Sequence, residues 1–443
     1  MRVLIAIAAV ALLFRLAPLL QPGDSWTRNN DSSRYIELAS GLRAGCGFSR
    51  LTGGACGPPE TLRTPGYPLF LAAVSNTRVV IAVQAVLGAV TCFIVGYFAA
   101  TRWGVAAGAV AEIFLALDIP SIASGAMIMS DSLFQFLLTL GLLLEMASID
   151  VDHPRRFKEV CMVSFAGLLL GAAVLVRPIG FLLPQLGLLP FVPPILSGHK
   201  LRLHLVVVVV LIPVAVGLGW AGRNYYRAGM WTLSTIGTYN LYIYRVAGVI
   251  WYSEGGDFPQ IQEALVRDLH LSPSQSPREI DALMEHQMVA KSLKVISEHP
   301  FEFLRMSMVS MLWLAIVPDR ANLTIVMSRF DPSNPVVPAG SELVAKTKTL
   351  FRSLRWTSIL GFQFALILVV WVGVIRALVS PVPGRGELFV LVLVALTMLA
   401  LASGPEAGAR YRTPAIPFLS IAAGVGWFRR PIGTRVHTAE AND

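Results

Sequence analysis

A chain of 443 residues in which 55% are hydrophobic and only 14% carry charge stands far from the roughly one-quarter charged make-up of soluble domains. Apolar runs near the ~20-residue bilayer span recur along nearly the whole length. The bilayer therefore holds the fold itself, and 1–443 reads as a single membrane-embedded domain with no large soluble part. The formal net charge of +9 is scattered through short loops with no basic tract or nucleic-acid motif, which argues against a nucleic acid partner.

The first run, "MRVLIAIAAVALLFRLAPLL", reads as a retained helix over about 3–20: Arg15 interrupts it and no small-x-small cleavage site follows. The loop 21–65 comes next. Within it, "NNDSSRYIELASGLRAGCGFS" carries an i, i+3, i+4, i+7 stripe of Tyr35, Leu38, Ala39 and Leu42, the pattern of a short amphipathic helix lying in the interface. Cys46 and Cys56 share this loop, and in an oxidising compartment a disulfide between them would pin its glycine-rich part.

Further spans are expected at about 76–104, 104–125 and 131–149, then at 160–176, ending at Arg177-Pro178. A proline-rich one follows at 180–196, and then "LHLVVVVVLIPVAVGLGW". A second loop, 222–304, holds a soluble-type helical stretch, "PREIDALMEHQMVAKSLKVISEHP". "FEFLRMSMVSMLWLAIVP" is short for a span and reads as re-entrant or interfacial. Spans at 355–378, 386–403 and 413–428 then bring the expected total to ten or eleven. Arg2, Arg102, "HPRRFK" and "GHKLR" mark the cytoplasmic loops. With strict alternation, residues 21–65, 123–130, the Arg177 corner and the loop from Arg223 all fall on the opposite, extracytoplasmic face.

That face collects the ionisable residues of interest. Asp31 opens the amphipathic helix, where an N-cap is the bland reading. Glu60 and Arg63 precede "TPGYP", whose prolines and glycine impose a tight approach to the membrane and whose aromatic is Tyr67. Asp131 opens the fourth span, Arg177 closes the fifth, and Glu406, Arg410 and Arg412 precede the last. Each alone has a structural reading as a cap or a snorkelling arginine. Together, two carboxylates and several arginines on one face outline a pocket for an anionic, phosphate-bearing ligand beside the bilayer. No zinc spacing, P-loop or dinucleotide fingerprint is present, and whether a divalent metal serves is left open.

In order, "DSSRYIELASGLRAGCGFS", "RTPGYPLFLAAV", "SDSLFQFLL", "LVRPIG", "GRNYYRAG" and "ARYRTPAIPF" resemble the bacterial glycosyltransferase family 39 proteins. Those are relatives of protein O-mannosyltransferases and of the lipid A aminoarabinose transferase, in the glycosyltransferase-C superfamily. The resemblance covers the first ~230 residues and the last ~40. It implies an all-α polytopic bundle in a bacterial cytoplasmic (inner) membrane. It also implies an inverting transferase that moves a sugar from a polyprenyl-phosphate donor to an extracytoplasmic lipid, glycan or protein hydroxyl. On this resemblance Asp31 is the catalytic carboxylate, Asp131 the second acidic residue, and Arg63 the donor-phosphate contact. Arg177, Arg410 and Arg412 are further phosphate candidates, and Tyr35, Glu60, Tyr67, Arg223 and Asn224 further pocket residues. Relatives often have two adjacent acidic residues where this chain has Asp31 followed by Ser32 and Ser33. A transporter or flippase of a phosphate-bearing lipid is the alternative, but it is expected to carry charges at the bilayer midplane.

Overall fold

The structure, a computed structural model, describes residues 1–20, 30–149, 156–182, 186–196, 202–269, 280–319 and 342–428. Parts of the first and second loops, 21–29 and 270–279, lie outside the described residues, as do 320–341 of the ambiguous region 302–352.

The chain forms an all-α membrane bundle. Helix α1 (Arg2–Leu16) continues as a 3-10 turn to Leu20. Arg15, the charge that interrupts the first apolar run, is buried and donates to the carbonyls of Leu115 (3.2 Å) and Ala116 (3.4 Å). It thereby satisfies acceptors that a helix end otherwise leaves without partners. In the first loop, α2 (Asn30–Arg43) leads to a hairpin of β1 (Ser49–Thr52) and β2 (Ala55–Pro59). The hairpin was not expected. Its turn is Gly53-Gly54, both at positive φ, as a two-residue hairpin connection requires. A Cys46–Cys56 disulfide, with Cα atoms 5.6 Å apart, ties the end of α2 to β2.

Helix α3 (Gly66–Val74) precedes the long α4 (Thr77–Trp103). Asn76 starts α4 by accepting from the backbone N–H of Arg78 and Val79 (2.9 and 3.3 Å), a side-chain cap. Helices α5 (Val105–Ala116) and α6 (Ile119–Gly125) form an apolar pair bent by 56°. Next come α7 (Asp131–Ser148), α8 (Arg156–Val176) and α9 (Leu203–Ala228). The expected span at 180–196 is instead described as 3-10 turns and a five-residue helix, Val192–Leu196. Prolines in this stretch remove donors that a continuous helix needs.

The second loop holds α10 (Ile236–Asn240), a π-helical turn (Leu241–Val246), α11 (Ala247–Glu254), α12 (Phe258–Asp268) and α13 (Ala282–Glu298). These pack on their own small core of Leu62, Tyr242, Ile243, Val246 and Met288. Helix α14 (Pro300–Ile316) turns Phe301, Leu312 and Trp313 outward, the surface a lipid-facing helix presents. Helices α15 (Glu342–Val379), α16 (Arg385–Ala402) and α17 (Ile416–Trp427) complete the bundle.

Although α17 is only twelve residues long, Ile416 through Gly426 are all buried. A helix whose one polar side chain is Ser420 has no polar face and belongs in the middle of a bundle. Gly424 and Gly426 leave no room for a Cβ against the backbones of α5 and α15, the close small-residue packing that membrane helices use in place of a hydrophobic drive. Among the described residues seven helices are long and apolar enough to span, or eight with the bent pair. That is fewer than the expected ten or eleven: 180–196 is interrupted, while α14 and α17 are short.

The disulfide closes a loop over a sequence separation of 10. Its loss in Cys46→Ser is expected to cost the first loop about 2–3 kcal/mol. The check is hydrogen exchange of residues 46–59 with and without reductant; unchanged protection contradicts the expectation.

Candidate functional site

At one end of the bundle lies a cavity of about 790 Å³. It is bounded by the first turn of α2, the segment 63–64, the start of α7, the end of α8, the π-helical turn, the end of α16 and the 3-10 turn 409–412. Arg102, at the C-terminal end of α4, donates to the carbonyl of Met146 near the far end of α7 (3.2 Å) and pairs with Glu387. The cavity thus sits at the bundle end opposite one of the predicted cytoplasmic arginines.

Asp31 occupies the first turn of α2 and faces the cavity. Its Oδ1 accepts from Arg63 Nη2 at 2.5 Å and its Oδ2 from Arg410 Nη2 at 3.4 Å. One carboxylate thereby joins segments far apart in sequence through two charge-assisted bonds. Burial opposes its charged form, but Arg63 and then Arg410 outweigh that and hold the carboxyl below its ordinary 3.8. Each guanidinium is also fixed from behind. Arg63 lies over the Tyr35 ring at 5.4 Å. Arg410 lies over the Tyr411 ring at 4.8 Å and donates to its hydroxyl at 3.1 Å. Such stacking holds a planar cation without consuming all its donors.

A second pair stands beside the first. Arg177 Nη1 donates to Asp131 Oδ1 at 2.6 Å, while Asp131 Oδ2 is buried with no hydrogen-bond partner. Local sequence explains how the pairs meet. Gly66 packs on the backbone of Leu175, where a Cβ would come within 2.8 Å of the carbonyl. The "TPGYP" segment therefore lies directly on the last turn of α8, setting Arg63 near Arg177. Residues 125–130 are held from both sides: Gln84 Nε2 donates to Gly125 O and Met127 O (2.9 and 2.8 Å), and Ser32 Oγ donates to Ile128 O (3.0 Å). The latter bond anchors the first turn of α2.

Of the sequence candidates, Asp31, Tyr35, Arg63, Asp131, Arg177, Glu406 and Arg410 line the cavity. The others are placed behind it. Arg412 is fully buried and donates to Leu314 O (2.9 Å) and Val317 O (3.0 Å), capping the C-terminus of α14. The 3-10 turn directs it away from Arg410. Tyr67 donates to Gln84 Oε1 at 2.6 Å. Glu60 accepts from the Leu62 N–H (2.7 Å) and pairs with Arg50 (3.4 Å). Arg223 donates to the carbonyls of Glu60 (2.8 Å) and Phe48 (3.0 Å), and Asn224 Nδ2 to Thr232 O (2.8 Å). Of these four, Arg223 ties the second loop to the first, and the other three hold their own segments.

Sequence reasoning missed Arg34, Tyr239, Asn240, Tyr244 and Arg245, which also line the cavity. Tyr239 and Tyr244 are five apart, a spacing that an α-helix sends to different faces. The π-helical turn brings their ring centroids to 6.2 Å. Arg245 lies 3.9 Å from Glu406, whose carboxyl is pushed up by burial. In all, five arginines face three carboxylates, an excess of positive charge suited to a phosphate. A divalent cation fits this donor set poorly. Both aspartates are paired with arginine, and no group of three His, Cys, Asp or Glu able to hold a metal occurs among the described residues.

Two outcomes test these electrostatics. Arg177→Ala leaves the Asp131 charge buried and uncompensated, at a cost of about 3–5 kcal/mol, while Asp131→Asn/Arg177→Ala recovers part of it; thermal unfolding of both variants is the check, and equal stabilities contradict it. For Asp31, a lowered carboxyl pKa means a contribution fully present above the ordinary value and lost as pH falls through the folded one. The stability margin of wild type over Asp31→Asn is expected to stay flat from pH 8 to about 5 and to close below about pH 4. A margin that widens in acid contradicts the pairing.

No protein-family model and no curated protein sequence matches the chain. Solved structures do. The oligosaccharyltransferase of Archaeoglobus fulgidus, tethered to an acceptor peptide containing the NVT sequon, superposes with a TM-score of 0.52 at 13% identity. That match covers 96% of this chain and 49% of that one, so the chain spans about half the length of the oligosaccharyltransferase it matches. The apo form of the same enzyme gives 0.50 at 12% identity over 95% and 50%. ArnT from Cupriavidus metallidurans aligns more loosely, at 0.41 and 13% identity over 95% and 76%. The chain shares the membrane fold of the matched half of that oligosaccharyltransferase.

Proposed function

We propose that the protein is an inverting glycosyltransferase that takes a sugar from a polyprenyl-phosphate donor and passes it to an acceptor hydroxyl on the extracytoplasmic side of the membrane. The observation that carries this reading is the pair of carboxylate–arginine clusters, Asp31 with Arg63 and Arg410 and Asp131 with Arg177, facing one cavity at one end of an apolar bundle. The shared fold with an oligosaccharyltransferase agrees with it. So does the charge rule, which puts Arg102 and the opposite bundle end in the cytoplasm.

In this reading the lipid phosphate sits among Arg63, Arg177 and Arg410, and its polyprenyl tail leaves past apolar lining such as Ile179 and Met398. The sugar rests against the wall of Tyr239, Asn240 and Tyr244, where aromatic faces and an amide suit a pyranose or furanose. The acceptor oxygen attacks the anomeric carbon in line with the phosphate. A carbon–oxygen bond forms, the bond from that carbon to the phosphate oxygen breaks, and its electron pair leaves on the lipid phosphate. Asp31 takes the acceptor's proton. The arginines stabilise the charge developing on the phosphate in a site shielded from bulk water. Asp131 holds Arg177 in place.

The test is transfer of radiolabelled sugar from a panel of polyprenyl-phosphate sugars into membranes lacking the native protein. Wild type labels an extractable product, and Asp31→Asn lowers the rate about 10²- to 10⁴-fold at matched expression. An Asp31→Asn variant as active as wild type removes Asp31 from catalysis. No labelling from any donor, with lipid-phosphate translocation dependent on the protein, replaces the enzyme with a flippase.

A further inference from the structure

Asp31 and Asp131 differ in how open they are: their side chains are 25% and 2% exposed. The Asp131 carboxylate is buried behind Arg177, whereas the Asp31 carboxylate stands at the cavity surface between two guanidiniums that are each stacked on a tyrosine. Arg63 also keeps a buried Nε with no hydrogen-bond partner, so it has donor capacity beyond Asp31. An anion entering the cavity meets Arg63 and Arg410 already oriented, and Asp31 accepts from one Nη2 of each, the one on Arg410 being shared with the Tyr411 hydroxyl.

Resting on the transferase reading, we propose that the donor phosphate and the Asp31 carboxylate compete for Arg63 and Arg410, so that donor binding displaces Asp31 and unmasks it as the base. A carboxylate neutralised by two arginines is a poor proton acceptor; one released from them is a better one. Donor therefore binds before acceptor becomes reactive, and the base is available only when a sugar is present to transfer. Both anions use the same donors in turn, so the cavity never has to hold phosphate and an unpaired Arg63 or Arg410 together.

The consequence is opposite to that of an ordinary site residue. Asp31→Asn, which abolishes the competitor's charge while keeping its shape, binds a polyprenyl monophosphate about three- to tenfold more tightly than wild type, even though it transfers poorly. The measurement is equilibrium binding of a fluorescent polyprenyl monophosphate to the full chain in nanodiscs, for wild type, Asp31→Asn, Arg63→Ala and Arg410→Ala. Asp31→Ala stands in if the amide variant does not fold. Inorganic phosphate is expected to displace the probe, and at lower concentration from the Asp31 variant. Unphosphorylated polyprenol is expected to bind all forms alike.

Affinity unchanged or weakened by Asp31→Asn, with both arginine variants weakened, overturns the competition and leaves the phosphate site standing. Arginine variants that bind as tightly as wild type overturn the phosphate site itself. Tightening seen equally for polyprenol overturns the competition as well, because it then owes nothing to the phosphate.

Discussion

One carboxylate between two guanidiniums, Arg63–Asp31–Arg410, is the interaction on which the rest of the site depends. Isolated charge at the edge of a bilayer is expensive, and it is tolerated where opposite charges and hydrogen bonds surround it. The cluster meets that condition by drawing from three segments that are 32 and 379 residues apart in sequence. The fold can therefore bring α2, the "TPGYP" corner and the turn before α17 together at one point. The same pair of arginines that stabilises Asp31 in the resting protein offers the cations a leaving phosphate needs, so stability and chemistry draw on one set of groups.

Around the cluster, polar side chains do structural work at fixed positions. Gln84, reached by Tyr67, shapes residues 125–127, and Ser32 holds the first turn of α2 on residue 128. Arg15 and Arg412, each buried, cap the ends of α5 and α14. In a lipid environment no water completes these backbone acceptors, which explains why a chain with so few charges buries arginines outside the Asp31 cavity.

Much of this was legible in the sequence, since hydropathy, short basic loops and helix-end charges report burial and sidedness directly. Asp31, Arg63, Asp131, Arg177 and Arg410 were singled out and share one cavity. Arg412 and Arg410 look equivalent two residues apart, and only the 3-10 turn separates a cavity arginine from a helix cap. Tyr239 and Tyr244 were invisible because an α-helical period divides them, whereas the π-helical turn unites them. The hairpin was signalled by Gly53-Gly54 but lost among neighbouring glycines. The described residues hold fewer span-length helices than expected because the described parts of 180–196 are 3-10 turns and a short helix and because the buried α17 is shorter than a bilayer is thick.

The most direct measurement is photo-crosslinking with a polyprenyl monophosphate that carries a diazirine in its first isoprene unit, followed by mapping of the labelled residues. Labelling concentrated at cavity positions such as Ile179 and Met398, and suppressed by excess unlabelled polyprenyl phosphate, is the predicted result. Labelling confined to outward-facing residues such as Leu312 and Trp313 of α14, indifferent to competitor, would mean that the arginine-lined cavity is not where the lipid phosphate binds.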